Sequence, residues 1–152
     1  MDTLAAEEWK VCDHSPVDCV FCAIVRGGMA AAEVLREGPV CAFLDTRPVF
    51  KGHVLVVPAE HVADLSVLPQ ELAGPLFWAA RRVALALETA LDAQGAFVGL
   101  NNKISQSVAH VHIHVVPRRK GDGLRGFFWP RTKYDSDAER DDYARRIAGA
   151  IS

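Results

Sequence analysis

Three histidines alternate with apolar residues in the segment His110-Val111-His112-Ile113-His114-Val115-Val116. Side chains of a strand alternate between its two faces, so this pattern predicts a strand with its valines and isoleucine in the core. The three imidazoles then share the other face, about 6.6 Å apart from one to the next. Such a row can be a solvated face, a set of zinc ligands, or a neutral imidazole that attacks phosphorus, because histidine is largely unprotonated at pH 7. The alternation by itself leaves these three interpretations open.

A second group of reactive residues is the Cys-x-x-Cys pair formed by Cys19 and Cys22. The first eight residues include three acidic side chains and lack the basic region of a secretory signal, so we expect a cytoplasmic protein. Thiols stay reduced in the cytoplasm, and the pair therefore points to metal or redox chemistry more than to a structural disulfide. The longest apolar run, Val54 to Val57, is far shorter than the roughly 18 residues of a membrane span.

The composition is that of one globular domain with its own core. The chain has 152 residues, of which 50% are hydrophobic, and its formal net charge is −2 from 17 basic and 19 acidic side chains. A core of this size needs no disulfide staples. The near-neutral charge argues against a protein that coats nucleic acid, and we expect no nucleic-acid partner and no membrane association.

The secondary-structure pattern predicts an α+β fold with an antiparallel sheet. A short helix over 19–25, capped by Asp18, ends at Gly27-Gly28. A long helix follows three strands, with Leu72, Leu76, Ala80, Val83, Leu87 and Leu91 on one face. Gly74-Pro75 predicts a kink or a start at Pro75, and Gly95 is predicted to end this helix. The predicted strands cover 32–36, 40–45, 52–58, 97–101 and 110–116.

The C-terminal residues predict one further helix. Ser136 and Glu139 form a capping box, and Tyr143, Ile147 and Ile151 supply an apolar stripe. We therefore expect three regions: an N-terminal extension over 1–17, mobile relative to the rest, a domain over 18–133, and a helical tail over 134–152.

With these elements in place, the chain resembles the histidine triad family of nucleotidyl hydrolases and transferases. Residues 110–116 match every position of the signature His-φ-His-φ-His-φ-φ, in which φ is apolar. Further matches, in the family's order, are Cys19-Val20-Phe21-Cys22, Ala42-Phe43-Leu44-Asp45 with Pro48, Gly52-His53 through Pro58 with His61, and Gln106-Ser107-Val108. The resemblance covers about 18–119. It implies a histidine triad fold with about five antiparallel strands and one main helix, assembled as a homodimer.

The resemblance also implies a mechanism at the α-phosphorus of a nucleotide, an AMP or GMP derivative. His112 would attack phosphorus to give a covalent nucleotidyl-histidine, which water later hydrolyses. His114 would donate to phosphate oxygens or to the leaving group, His53 would complete the imidazole cluster, and Gln106 would donate to a non-bridging oxygen. The nucleotide-binding residues would be Phe43 and Leu44 around the base, Asp45 on the ribose, and Asn101, Ser107 and Lys103 near the phosphates, with Asn102 a rival for the role of Asn101.

One departure from the family concerns the loop before the triad. The family commonly has Gly-x-x-Ala-Gly-Gln there, whereas this chain has the shorter, glycine-free Lys103-Ile104-Ser105-Gln106. Glycine permits close approach of a backbone to phosphate, so its absence bears on substrate preference. Lys103 offers a compensating point charge.

A zinc site is the second implication of the resemblance. Cys19, Cys22, His61 and His110 are the residue types of a structural Cys₂His₂ site, and zinc-containing family members use a comparable set. His110 would then be structural, and the metal would tie the N-terminal helix to the sheet. The competing interpretation is two reduced core thiols and a hydrogen-bonded His110.

The segment over 117–133 carries a local charge of +5, from six basic residues and Asp122. Pro117-Arg118 after the triad resembles the branch that cleaves dinucleoside polyphosphates, and the aromatic cluster near Phe127 suits a dimer interface. We therefore expect a hydrolase of a purine dinucleoside polyphosphate or nucleoside phosphoramidate. The rival hypotheses are a nucleotide-binding protein with little turnover and a zinc hydrolase that uses the triad as ligands.

Overall fold

A computed structural model describes residues 19–124 and 132–152. The predicted extension over 1–17 and the predicted cap Asp18 lie outside the described residues. The elements are α1 (Val20–Val25), β1 (Glu33–Glu37), β2 (Val40–Leu44), β3 (Val54–Pro58), a 3₁₀ turn (Leu65–Val67), α2 (Gln70–Leu91), β4 (Gly95–Gly99), β5 (Ile113–Arg118) and α3 (Asp137–Ala150). The chain divides into one unit up to Lys120 and a second from Gly121 onward.

The first unit is built on one five-stranded sheet with the order β1-β2-β3-β5-β4. Every neighbouring pair is antiparallel. The predicted α+β class and the antiparallel sheet are confirmed, with α2 as the main helix. β5, which carries part of the histidine segment, lies between β3 and β4, so its side chains have strand neighbours on both sides.

The two faces of the sheet carry different apolar clusters. On the helix face, α2 packs on side chains such as Val54, Ile113 and Val115. On the opposite face, which we name the histidine face, α1 packs through Phe21 and Val25 on residues of β2 and β3. The predicted placement of Val111, Ile113 and Val115 in the core is confirmed, since all three belong to the helix-face cluster.

Helix α2 differs from its prediction at both ends. It runs through Pro75 without interruption. The proline lacks only the N–H that would reach the exposed Glu71 carbonyl near the helix start, where water can satisfy that oxygen. The helix ends at Leu91 and not at Gly95, because Asp92 adopts a left-handed conformation (φ 54°) that stops it. Gly95 instead begins β4.

Strand β5 begins later than predicted, at Ile113, so His110 and His112 precede the paired strand. The reason is a different backbone partner: the Val111 N–H donates to the Val62 carbonyl beyond the end of β3. Residues 110–112 therefore lie outside the hydrogen-bonded strand, although the side chains of the segment still alternate between the two faces of the sheet.

In the second unit, α3 begins with the predicted Ser136 cap, whose Oγ accepts from the Glu139 N–H. The Glu139 carboxylate accepts from the Asp135 N–H, one residue earlier than a standard capping box has it. The predicted stripe residues Tyr143, Ile147 and Ile151 are exposed. Among the described residues, no helix combines the length and the apolar character needed to cross a bilayer.

Candidate active site

The strand register places the candidate residues side by side on the histidine face. Leu55 of β3 pairs with Phe43 on one side and with His114 on the other. His114 in turn pairs with Gly99 of β4. Paired residues of antiparallel strands lie on the same face, so one row crosses the sheet from the predicted base wall to the triad and on to β4.

His112 is held by a backbone carbonyl of its own segment. Its Nδ1 lies 2.7 Å from the His110 carbonyl oxygen, and the residue is only 3% exposed. A carbonyl only accepts, so Nδ1 carries the proton and, in the neutral ring, Nε2 carries a lone pair. The backbone therefore fixes the tautomer in which Nε2 can act as a nucleophile.

His53 and His114 form a directed chain of hydrogen bonds. The Val49 N–H donates to His53 Nδ1 at 3.1 Å, which leaves the proton of neutral His53 on Nε2. That Nε2–H donates to His114 Nδ1 at 2.9 Å, and neutral His114 is left with a proton on its own Nε2. The Asp45 carboxylate lies 3.8 Å from His53 Nδ1, farther than the Val49 nitrogen, so Nδ1 is an acceptor in this arrangement.

Burial keeps the imidazoles of His53 and His114 neutral at physiological pH. Burial first, and then the neighbouring rings of His112 and His53, lower the pKa of His114 to about 4 against the opposing effect of Asp45. Burial also lowers the pKa of His53, again against Asp45. His114 Nε2–H is thus available as a donor throughout the neutral range.

This shift predicts a pH-dependent stability. The pKa of His114 falls from an ordinary 6.5 to about 4 on folding. Between these values the unfolded chain binds a proton that the folded chain does not. Each pH unit of acidification therefore lowers the free energy of unfolding by about 1.4 kcal/mol. Above pH 6.5 the ring is neutral in both states and contributes nothing. We expect urea unfolding at pH 7 and pH 5 to differ less in His114→Asn than in the wild type, by about 2 kcal/mol. An equal difference in the two proteins would contradict the shift.

His110 faces a separate group of side chains. Its Nδ1 lies 3.5 Å from Sγ of both Cys19 and Cys22, and Cys22 Sγ lies 3.3 Å from His61 Nδ1. These four ligand atoms all lie within 4.8 Å of one another. The two cysteines and two histidines predicted as a metal set are therefore brought together around one point.

The spacing of this cluster fits tetrahedral zinc. Zn–S bonds near 2.3 Å and Zn–N bonds near 2.0 Å separate N and S ligands by about 3.5 Å. His110 Nδ1, which faces the thiols, is free of hydrogen in the neutral ring, as coordination requires, because His110 Nε2–H donates to the Pro58 carbonyl at 2.9 Å. Cys19, Cys22, His61 and His110 would hold the ion, and four protein ligands leave no position for substrate.

Phe21 connects the cysteine pair to the triad, and no feature of the sequence pointed to it. It lies between the two cysteines in α1, and its ring makes edge contacts with His112 at 5.1 Å and Phe43 at 5.4 Å between centroids. Sequence reasoning also missed three backbone groups that bind the histidines: the Val49 N–H, the Pro58 carbonyl and the His110 carbonyl. Backbone groups leave no signal in a residue pattern.

The candidate nucleoside residues are divided between the two faces. Asp45 lies beside His53, accepts from the Arg47 N–H at 2.8 Å and is part of the cluster with His114. Phe43 is buried on the histidine face. Leu44 pairs with Val54, a helix-face residue, so it does not share the face of the histidines.

The glycine-free loop keeps a glycine-like backbone. Lys103 (φ 68°) and Ser105 (φ 59°) both adopt left-handed conformations. The strain is offset by hydrogen bonds: Gln106 Oε1 accepts from the Lys103 N–H, and Gln106 Nε2 donates to the Ala63 carbonyl. Asn102 also holds the loop in place, because its Oδ1 accepts a hydrogen bond from the Leu65 N–H. Asn102 is thus used in the scaffold, whereas Asn101 follows the end of β4 by two residues and, like Ser107, is exposed.

Comparison with known proteins decides the family. The model of the HIT domain family matches residues 28–121. The chain belongs to the HIT family.

The HIT assignment agrees with solved structures. The protein SMU.412c of Streptococcus mutans superimposes with a TM-score of 0.81 at 33% identity, covering 95% of this chain and 92% of that one. A zinc-bound histidine triad family protein from Mycobacterium smegmatis gives a TM-score of 0.69 at 33% identity, covering 88% and 98%.

Among sequence relatives, the adenosine 5′-monophosphoramidase HNT1 of Saccharomyces cerevisiae is 32% identical over 120 residues. The match covers 78% of this chain and 74% of HNT1.

Proposed function

We propose that this HIT protein is a hydrolase that cleaves nucleoside phosphoramidates at the α-phosphorus through a covalent nucleotidyl-His112. The observation that carries the proposal is the bond from His112 Nδ1–H to the His110 carbonyl, which leaves Nε2 as an unprotonated nucleophile. The relation to a yeast phosphoramidase supports the same reaction class.

The reaction consumes one water in two displacements. The His112 Nε2 lone pair forms a bond to phosphorus, and the bond from phosphorus to the leaving nitrogen breaks, with its electron pair retained by nitrogen. Solvent supplies the proton that completes the amine, and His114 Nε2–H donates a hydrogen bond to the departing group. Water then attacks phosphorus, the P–N bond to His112 breaks, and the water's proton returns to solvent.

The nucleoside would lie on the β2 side of the histidines. The Asp45 carboxylate can accept from both ribose hydroxyls, and Phe43 would form part of the base wall. Asn101 and Ser107 would contact the phosphates, with Lys103 as a point charge. Gln106 can join them because its amide nitrogen has two hydrogens and the bond to Ala63 uses one. We infer an adenosine derivative as the first substrate to test.

A dinucleoside polyphosphate is the second substrate class. The basic segment motivates it, although residues 125–131 of that segment lie outside the described structure. One of its arginines already has a scaffold role, since the Arg119 guanidinium donates to the Leu91 carbonyl at the end of α2. This bond makes Arg119 a weaker candidate for a polyphosphate contact and favours the phosphoramidate.

The geometry disfavours a zinc hydrolase that uses the whole triad as ligands. His110 belongs to the cysteine cluster, and His114 belongs to a different cluster with Asp45 and His53. In the second cluster, both His53 nitrogens and His114 Nδ1 are engaged in hydrogen bonds, between the two rings and with the Val49 N–H. Structural zinc at the cysteine cluster is the metal role that we propose.

The test of the proposed function is intact-mass detection of the adduct. We expect the wild-type protein, mixed with adenosine phosphoramidates or diadenosine polyphosphates and quenched in alkaline denaturant, to gain the same adenylyl mass from each. A common mass from different leaving groups locates cleavage at the α-phosphorus. Turnover without adduct at quench times shorter than one turnover would overturn the covalent route. Binding without turnover would favour the nucleotide-binding alternative.

The location and assembly of the protein are further proposals. Zinc ligation by Cys19 and Cys22 requires thiolates, which supports a reducing compartment such as the cytoplasm. We also propose a homodimer. In the described sheet, β4 is an edge strand paired only with β5, and an unpaired edge suits strand addition by a second copy.

A further inference from the structure

A cavity lies between the turn that joins β1 to β2 and the first half of α2. Its volume is about 410 Å³. Small-molecule sites have volumes in this range and combine mostly apolar walls with a few polar groups. Val40 and Ala79 of the lining belong to the helix-face cluster, so the cavity lies on the side of the sheet opposite the histidines. We name it the α2 cavity.

Two Gly-Pro pairs line the α2 cavity, one from the sheet and one from the helix. Gly38-Pro39 forms the turn between β1 and β2, and Gly74-Pro75 lies in α2. The proline rings are rigid walls. Gly74 contributes no side chain, and a Cβ built on it would meet nothing within 4 Å. Gly74 therefore leaves open a space that a larger residue in this helix would fill.

Trp78 supplies the aromatic wall of the α2 cavity. Tryptophan is highly buried on average in folded proteins, yet Trp78 is 59% exposed. The Arg81 guanidinium lies 4.7 Å from the centroid of the Trp78 ring and restrains it. A restrained ring loses little freedom when a ligand binds, so Trp78 can recognise a planar apolar group by stacking or edge contact.

An ion pair at the rim supplies the polar groups of the α2 cavity. Arg82 of α2 pairs with Glu37 at the end of β1, and both residues line the cavity. The pair uses only Nη1 of the guanidinium and Oε2 of the carboxylate. Among residues 19–124 and 132–152, the other side-chain nitrogens of Arg82 and Oε1 of Glu37 have no partner. The rim therefore offers a donor for a carboxylate beside an acceptor for an ammonium group.

We propose that the α2 cavity binds a free aromatic α-amino acid, a small zwitterion with one aromatic ring. The ring contacts Trp78, the carboxylate accepts from Arg82, and the ammonium group donates to Glu37. A ligand with a single charge leaves one member of the rim pair without a counter-group, and Glu37 repels a nucleotide with several negative charges. The inference is independent of the proposed function, because the α2 cavity and the histidines lie on opposite faces of the sheet.

A ligand-observed NMR titration tests the site, with L-phenylalanine as the probe. We expect saturable binding to the wild-type protein with a Kd on the order of 1 mM, the scale for a ligand of about a dozen non-hydrogen atoms. Three analogues each lack one group: 2-phenylethylamine the carboxylate, 3-phenylpropanoate the ammonium group, and L-alanine the ring. Loss of one exposed charge contact should weaken binding about threefold, and loss of the ring at least about tenfold.

Gly74→Leu separates occupation of the α2 cavity from damage to the fold. The new side chain enters the open space at Gly74, and leucine has a higher helix propensity than glycine. We therefore expect a melting temperature no lower than that of the wild type, together with at least about tenfold weaker phenylalanine binding. Trp78→Ala should weaken binding to a similar degree, because it removes the aromatic wall.

The matched control is Phe77→Ala. Phe77 is an exposed aromatic residue next to Trp78 in α2, but it is not part of the cavity lining, so its removal should leave phenylalanine binding unchanged. Absence of saturable binding to the wild type, or undiminished binding to folded Gly74→Leu, would overturn the proposal. A sedimentation coefficient that changes in Trp78→Ala, without phenylalanine binding to the wild type, would assign the α2 cavity to a second copy of the chain instead.

Discussion

Replacing His112 with alanine is expected to reduce turnover of adenosine phosphoramidates by at least about 10⁴-fold, the order of loss seen when a covalent nucleophile is removed. The variant also removes the lone pair that would form the adduct, so no nucleotidyl mass should appear. Affinity for a non-hydrolysed nucleotide should stay within a few-fold, because the proposed nucleoside contacts, Phe43 and Asp45, are unchanged in the variant. Stopped-flow kinetics and isothermal titration measure the two quantities separately.

A matched variant separates the loss of the nucleophile from the loss of packing. His112 touches Phe21 and His114 through its ring. His112→Asn keeps a polar side chain that can donate to the His110 carbonyl, yet it has no imidazole nitrogen to attack phosphorus. It should be as inactive as His112→Ala and more stable to heat. Substantial activity in either variant would contradict the assignment of His112 as nucleophile.

Local features of the site were predictable because the signals that encode them are local. The alternation over 110–116 predicted which side chains enter the core, and the match of Val111, Ile113 and Val115 to the helix-face cluster confirms it. That alternation does not predict that His110 lies among the cysteines, apart from His112 and His114. The position of His110 depends on the hydrogen bond between the Val111 and Val62 backbones and on the packing of α1, which lies about 90 residues earlier in the chain. Both contacts join distant parts of the sequence.

Features that depend on strand register or on distant backbone groups were not predictable. Nothing in the sequence pairs Gly99 with His114, because two strands joined by a long loop can pair in several registers. The tautomers of His53 and His112 are set by the backbone of Val49 and His110. The left-handed conformation of Lys103 is held by the side chain of Gln106. Such conformations are usually expected at glycine, so no residue pattern predicted one at Lys103.

Cys22→Ser is expected to have the largest effect on stability. We expect the wild-type protein to contain one zinc per chain and the variant to lose it, since a hydroxyl is a poor replacement for a thiolate ligand. Loss of a structural ion lowers the free energy of unfolding by several kcal/mol. In a chain of this length, each kcal/mol lost lowers the melting temperature by about 2–4 °C. The melting temperature should fall by on the order of 10 °C. Elemental analysis and calorimetry give the two results.

Cys41→Ser supplies the control, because Cys41 is as buried as Cys22 and lies on the sheet face that α1 covers, yet it is outside the four-ligand cluster. It should lower the melting temperature by burying a hydroxyl while it leaves the zinc content unchanged. Wild-type protein without zinc would overturn the site. Zinc kept in Cys22→Ser and lost in His112→Ala would instead favour the hydrolase with triad ligands.

The metal and the nucleophile are expected to be linked through α1. Cys19 and Cys22 flank the start of this six-residue helix, and a helix so short has little stability of its own. Phe21, carried between the two thiols, forms the edge contact that restrains the His112 ring. Loss of zinc in Cys22→Ser should therefore lower kcat as well as stability, whereas Cys41→Ser should retain kcat at temperatures below its melting transition. An unchanged kcat in folded, zinc-free Cys22→Ser would show that His112 is positioned by the His110 carbonyl alone.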